Sequence, residues 1–176
     1  MSDLVVRPAT VDDLPAVARV RVRSWQAGYA GILPAEFLSS LDVDEDLVRR
    51  RQVFAEYAAV VDTLVAVRDG VVRGFTSFGP YRVEQAARPI PRGGEGEIYA
   101  IYVDPECWGA GAGRMLLTEA LKWLRDRGFA PVRLWVLAGN DRARRFYAAA
   151  GFVADGATDT FCRAGFAAPE VRYTLR

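Results

Sequence analysis

The feature that most constrains this chain is a glycine-rich turn set between a strand and a helix. Residues 95–103 read as a strong strand, stopped by Asp104-Pro105. Trp108-Gly-Ala-Gly-Ala-Gly113 then runs directly into a helix over 114–127, with Leu116, Leu117, Ala120, Leu121 and Leu124 on its apolar face and Gly128 as its stop. Such a turn aims several unpaired backbone N–H groups at one point, where the helix dipole also favours negative charge. Glycine lets a ligand approach the backbone closely. The turn therefore predicts a site for an anion such as a pyrophosphate. It is not the dinucleotide fingerprint, because Gly109, Gly111 and Gly113 are spaced by two, and no Gly-Lys-Ser/Thr follows as in the phosphate loop of NTPases. Taken alone, the run is equally a Gly/Ala-rich helix entry that merely packs tightly.

The rest of the chain arranges itself around that turn. Leu4 to Arg7 reads as a short strand. Thr10, three residues before Asp13, resembles a capping box ahead of a helix reaching about Ala27. Pro34 suits a helical first turn leading into 36–41, and 44–58 reads as a further helix. Strands follow at 64–67 and 71–78, joined by Asp69-Gly70, a strong hairpin signal. Residues 81–94 show no period and are expected to form a flexible loop, suited to act as a lid whose arginines favour an acidic acceptor. A strand at 132–137, a short helix at 141–150, and strands at 152–154 and 171–175 close the chain, with a Gly- and Ala-rich excursion between the last two. No repeat or linker appears. The 176 residues, 51% of them hydrophobic, suit one α+β domain spanning 1–176.

Composition narrows the chemistry. There is no histidine. That removes the usual Ser-His-Asp and Cys-His nucleophilic systems and nearly all catalytic zinc sites. Proton transfer must use Asp, Glu, Tyr, Cys, Lys122 or water. The net charge of +1 gives no global field toward nucleic acid or a membrane surface. Cys107 and Cys162 form no disulfide framework. No leader and no apolar run long enough to span a bilayer is evident, so a cytoplasmic protein is expected.

Three pieces together carry a family resemblance: Val103-Asp104-Pro105, the loop Trp108 to Gly113, and Asn140-Asp-Arg-Ala143-Arg-Arg-Phe146-Tyr147-Ala-Ala-Ala-Gly151-Phe152. In order and spacing they resemble the GNAT superfamily of acetyl-CoA-dependent N-acetyltransferases, over roughly residues 64–155. Trp108 departs from the pattern, since that position usually holds Gln or Arg. The resemblance implies a mixed, mostly antiparallel sheet of six to seven strands with helices on both faces. It implies acetyl-CoA as cosubstrate and no metal. The backbone of Ile101, Tyr102 and Val103 would pair with the pantetheine arm, beside a bulge that splays this strand from the next. The N–H groups of Trp108, Gly109, Ala110, Gly111, Ala112, Gly113 and Arg114 would hold the pyrophosphate. Asn140 would bond the pantetheine, and Arg142 or Arg145 would reach the 3′-phosphate.

For the chemistry, the resemblance assigns Tyr147 as the acid that protonates the leaving thiolate, and an N–H near Val103 stabilises the oxyanion. The resemblance also makes Glu97 the first choice for the base, since it lies eleven residues before Trp108, the spacing at which similar histone acetyltransferases carry a strand glutamate as base; by alternation Glu97, Tyr99, Ile101 and Val103 share one face. Glu95 and Asp104 are weaker choices, and Glu97 as a plain salt-bridged strand residue is the competing reading. Cys107 is read as an inert loop cysteine rather than an acetyl carrier. Ser24-Trp25-Gln-Ala-Gly-Tyr29-Ala-Gly-Ile-Leu-Pro34 resembles a stretch of many small members of the family. It places Trp25 and Tyr29, with Phe78 and Tyr99, around the acceptor. The expected reaction is direct acetyl transfer, in a ternary complex, to a primary amine of a small molecule. The alternatives are a protein N-terminal or lysine acetyltransferase and a non-catalytic acetyl-CoA-binding module. A homodimer is left open.

Overall fold

The computed structural model describes residues 3–82 and 91–176, with the side chains of residues 91–93 outside the description. Much of the expected lid, 83–90, therefore lies outside the described residues. The strands are β1 (Val5–Pro8), β2 (Asp62–Arg68), β3 (Val71–Arg82), β4 (Pro91–Val103), β5 (Val132–Leu137), β6 (Val153–Arg163) and β7 (Phe166–Leu175). The α-helices are α1 (Leu14–Gly28), α2 (Ala35–Ser39), α3 (Val43–Glu56), α4 (Ala112–Asp126) and α5 (Asp141–Ala149). Among the described residues the strands form one seven-stranded sheet in the order β1-β2-β3-β4-β5-β7-β6. Every pairing is antiparallel except β4 with β5. The expected α+β fold, with helices on both faces of a mostly antiparallel sheet, is the one observed.

The two faces bury different clusters. Leu116, Leu117, Ala120 and Leu124 of α4 pack with Leu64, Phe78, Ile98, Leu134 and Val136 of the sheet, and Tyr147 and Phe152 close one end. On the other face Val17 and Val20 of α1 cover Val65, Val72 and Phe75. A third cluster joins Trp25, Leu33 and Leu38 to Leu137 and Ala168. It seats the α1–α2 connection over the far strands. The entry to α1 carries the expected capping box: the Thr10 N–H donates to Asp13 Oδ2 at 2.8 Å. Arg7 holds the same carboxylate through two bonds and lowers its pKa to about 2.

Three features depart from the sequence expectation. First, β3 and β4 run past the predicted strand ends, pairing Tyr81 with Arg92 and Arg82 with Pro91. Second, the β3–β4 register shifts between Ser77 and Phe78, so that Ser77 faces Ala100 while Phe78 faces Ile98. The extra residue, Tyr99, breaks the alternation assumed for the strand. Ile98, Ile101 and Val103 pack toward α4, whereas Ala100 and Tyr102 pack toward α1. The single shared face for Glu97, Tyr99, Ile101 and Val103 is thereby corrected. Third, the excursion after Ala154 is the body of a long β6–β7 hairpin. Its turn, Ala164-Gly165, has both residues at positive φ, 47° and 81°. That is the twist a two-residue hairpin needs, achieved without the Asn-Gly or Asp-Gly pair that would announce it.

Gly79 shows how tightly the β3–β4 ribbon is folded. A Cβ there would lie 2.3 Å from the Val60 carbonyl oxygen and 2.8 Å from the Tyr99 hydroxyl. Neither backbone nor bulge can yield readily, so Gly79→Ala is expected to lower the unfolding free energy by about 1–3 kcal/mol, the range for overpacked sites, as read by urea denaturation.

Candidate active site

The site originates where β4 and β5 part. They pair only at Gly96–Val132 and Glu97–Arg133, after which each runs on without the other. Asp104 N–H donates to Arg73 O on β3 at 2.7 Å. By alternation, the N–H and C=O groups of Val103 and Ile101 point the opposite way, into the wedge, while those of Tyr102 point back to β3. The Val103 carbonyl accepts the Trp108 indole N–H at 2.8 Å, leaving its N–H directed into the opening.

The glycine-rich loop stands at the mouth of this wedge. Gly109 and Gly111 have φ of 79° and 88°, and a Cβ on either would meet nothing within 4 Å. Glycine is therefore needed there for backbone conformation, and the space above the turn is open. Trp108 N–H and Ala110 N–H are taken by Pro105 O and Cys107 O, and Met115 N–H begins the helical ladder on Gly111 O. The amides of Ala112, Gly113 and Arg114 form the first turn of α4, which has no helical acceptor. An open, amide-lined helix start of this kind fits a diphosphate.

Trp108 anchors the loop instead of contributing a polar arm. Its ring lies 3.9 Å from where a Gly28 Cβ would stand, and the Arg142 guanidinium stacks 3.3 Å from its centre. Arg142 lines the cavity and Arg145 does not, so of the two arginines it is Arg142 that faces the site. Asn140 also lines the cavity. Its Oδ1 caps α5 by accepting Ala143 N–H at 3.1 Å, and its amide N–H groups have no partner among the described residues.

One continuous cavity of about 970 Å³ runs from Gly109, Gly111, Ala112, Gly113 and Arg114 along Ile101, Tyr102 and Val103 to a chamber between α1, α3 and the β6–β7 hairpin. Tyr147 lines it and is 8% exposed. Burial, reinforced by Tyr102, pushes its phenol pKa far up, which keeps the proton on oxygen. Trp25 and Tyr29 line the chamber, their rings edge to face with centres 5.0 Å apart. The Tyr29 and Tyr102 hydroxyls are 3.5 Å apart. Tyr99 lines the chamber as well, donating to Pro80 O, and the Arg82 guanidinium lies 4.7 Å from its ring centre.

Besides Arg145, two expected residues are placed elsewhere. Phe78 is 0% exposed beneath α4, edge to face with Trp123, on the opposite side of the sheet from the chamber. The alternation of β3 sends it there, since Phe75, three residues earlier, faces α1. Glu97 is 1% exposed and off the cavity wall. Its Oε2 accepts the Arg82 backbone N–H at 2.9 Å, and its Oε1 accepts from the Arg82 guanidinium. A carboxylate so engaged is an anchor for Arg82 and is badly placed to receive a substrate proton.

Glu170 is a chamber residue that the sequence did not announce. It stands on β7 opposite Leu137, at the open end of β5, and lines the chamber. Its pKa is raised to about 7, first by burial, then by Asp159 across the hairpin, with Glu97 adding to the effect and Arg82 opposing it. Nothing local in the sequence marks it, because the residue becomes visible only when the β6–β7 hairpin is folded.

These features match known proteins. The model of the acetyltransferase (GNAT) family matches residues 25–152, so the chain belongs to that family and is an acyltransferase that uses acetyl-CoA. Among relatives, it is 36% identical over 139 residues to the uncharacterized N-acetyltransferase YuaI of Bacillus subtilis, covering 78% of this chain and 73% of that one. It is 39% identical over 89 residues to the mycothiol acetyltransferase of Frankia alni, spanning 50% of this chain but only 27% of that longer protein. The PaiA N-acetyltransferase of Thermoplasma acidophilum, solved with coenzyme A, superposes with a TM-score of 0.74 at 21% identity, over 98% of this chain and 99% of that one. Among the described residues no helix is long and apolar enough to cross a membrane.

The raised Glu170 pKa has a thermodynamic consequence. Its carboxyl holds a proton more tightly folded than unfolded, so its contribution is intact below about pH 4.5 and is lost as pH rises through about 7. Glu170→Gln, neutral throughout, is expected to raise the melting temperature relative to the native protein more at pH 8 than at pH 5, as followed by circular dichroism.

Proposed function

We propose that the protein transfers the acetyl group of acetyl-CoA directly to a primary amine of a small molecule, with both substrates bound together. The observation that carries this reading is the single cavity joining the glycine-rich helix start to an enclosed aromatic chamber through the β4–β5 wedge. The chamber's walls, from α1, α3 and the β6–β7 hairpin, suit a compact acceptor better than a peptide.

In this proposal the amides of Gly109, Gly111, Ala112, Gly113 and Arg114 hold the diphosphate, with Arg142 beside them. Ile101 and Val103 pair with the pantetheine as an added strand, and the Asn140 amide donates to it. A simple alkyl ammonium has a pKa of roughly 10.4 and must lose a proton before it attacks. Glu170, poised near neutrality and facing the chamber, takes that proton directly or through water, and Glu97 serves by fixing Arg82 next to it. The amine nitrogen attacks the thioester carbonyl, the Val103 N–H receives the developing oxyanion, and the C–S bond breaks. The Tyr147 phenol gives its proton to the leaving sulfur. The second proton, which the nitrogen sheds as the tetrahedral intermediate collapses, passes through water to the Tyr147 phenolate and restores the phenol, so that none of the steps needs histidine.

The test is a broad amine panel read by release of free CoA thiol. With the best amine, Tyr147→Phe is expected to lower kcat by about 10²–10⁴-fold, the scale of a lost general acid, while calorimetry shows acetyl-CoA still bound. A native kcat that rises through about pH 7 is expected to lose that limb in Glu170→Gln. Full activity in both variants would overturn these roles, and absence of acetyl-CoA binding would overturn the reading itself.

A further inference from the structure

The chamber carries more positive charge than its own residues neutralise. Its far wall presents Arg21, Arg49 and Arg50 from α1 and α3 and Arg163 from the tip of β6, with Asp46 the carboxylate among them. Both oxygens of Asp46 are already engaged. Arg21 Nη1 donates to Oδ1 at 2.9 Å and Arg50 Nε donates to Oδ2 at 2.7 Å. Arg21 and Asp46 are each buried, so this pair is a fixed part of the wall.

Arg49 and Arg163 are left over. Neither has a carboxylate oxygen within 4.0 Å among the described residues. Arg163 is half-buried, its guanidinium 6.0 Å from the Trp25 ring centre. Burial lowers its pKa, and Arg21 and Arg49 push the same way, against Asp46. A guanidinium nevertheless stays charged at any ordinary pH, so the protein holds like charges together in a partly dry chamber. That arrangement is costly unless an anion completes it. The glycine-rich loop does not account for these residues, since α1, α3 and β6 contribute nothing to it.

We propose that the acceptor is an amine that also carries an oxyanion, a carboxylate or a phosphoryl-type group, which docks on Arg163 and Arg49. The planar guanidinium matches either group through paired N–H···O bonds. Its amine end then faces Glu170 and Tyr147, on the wedge side of Trp25 and Tyr29. This inference rests on the acetyltransferase reading above and names the substrate class of the same site.

The experiment uses matched acceptors at saturating acetyl-CoA: β-alanine against β-alaninamide, and phosphoethanolamine against ethanolamine. The anionic member of at least one pair is expected to show a kcat/KM about tenfold or more above its neutral partner, the scale of one charge-assisted hydrogen bond. The pair that responds separates carboxylate from phosphoryl recognition. Arg163→Gln is expected to erase the preference through KM, and Arg49→Gln, at an exposed position, serves the same purpose if the first variant folds poorly. Independently of turnover, propionate or methylphosphonate added to the CoA complex is expected to raise the melting temperature of the native protein and not of Arg163→Gln. Equal kcat/KM within both pairs, or a rise that survives Arg163→Gln, would overturn the inference while leaving the acetyltransferase reading intact. Failure of CoA itself to bind, measured by calorimetry, would instead remove the reading beneath it.

Discussion

The structure depends on a hydrogen-bond ladder that stops early. β4 and β5 share two paired positions and then separate, in a sheet whose other strands remain zipped. Edge groups exposed in the middle of a sheet are a liability unless something pairs with them. Here they are the Val103 and Ile101 backbone groups, directed into a wedge that opens at the α4 N-terminus. The two anion-friendly features, unpaired strand amides and unpaired helix amides, thus lie at the two ends of one slot. A near-neutral chain can in this way hold a highly charged cosubstrate without concentrating basic side chains around it.

The second face of the sheet supplies the chamber. α1 and α3 bring aromatic and arginine side chains over the wedge, and the β6–β7 hairpin brings Glu170 and Arg163 from the opposite side. Neither group makes a chamber alone. The aromatic cluster of Trp25, Phe37, Phe161 and Phe166 ties the two together, with ring centres about 5–6 Å apart. The hairpin therefore does more than complete the sheet, because it brings the Glu170 carboxyl and the Arg163 guanidinium to the chamber wall.

How much of this was legible in the sequence follows from the range of the interactions involved. The glycine-rich turn, the α4 face, the Asp69-Gly70 hairpin and the Asn140 cap are set by residues within a few positions of one another, and each could be read along the chain. Tyr147 was likewise legible as a lining residue through the motif that contains it. The misplacement of Glu97 is a cross-strand effect. One extra residue at Tyr99 reversed the facing of everything after it on β4, which separated Glu97 from Ile101 and Val103, while Phe78 lies under α4 by the plain alternation of β3. Glu97 was visible as a strand glutamate, but its partner Arg82 lies fifteen residues earlier and meets it only in the folded ribbon. Glu170 and Arg163 were illegible for the same reason, since a hairpin with an Ala-Gly turn gives weak local notice of itself.

The account requires that the wedge hold the cosubstrate and the chamber hold the amine at the same time, so that nitrogen reaches the thioester with no covalent intermediate on the protein. Initial velocities measured over a grid of acetyl-CoA and amine concentrations test this most directly. The structure predicts double-reciprocal lines that intersect to the left of the axis, as for a ternary complex. Parallel lines, together with an acetylated protein isolated in the absence of amine, would contradict it.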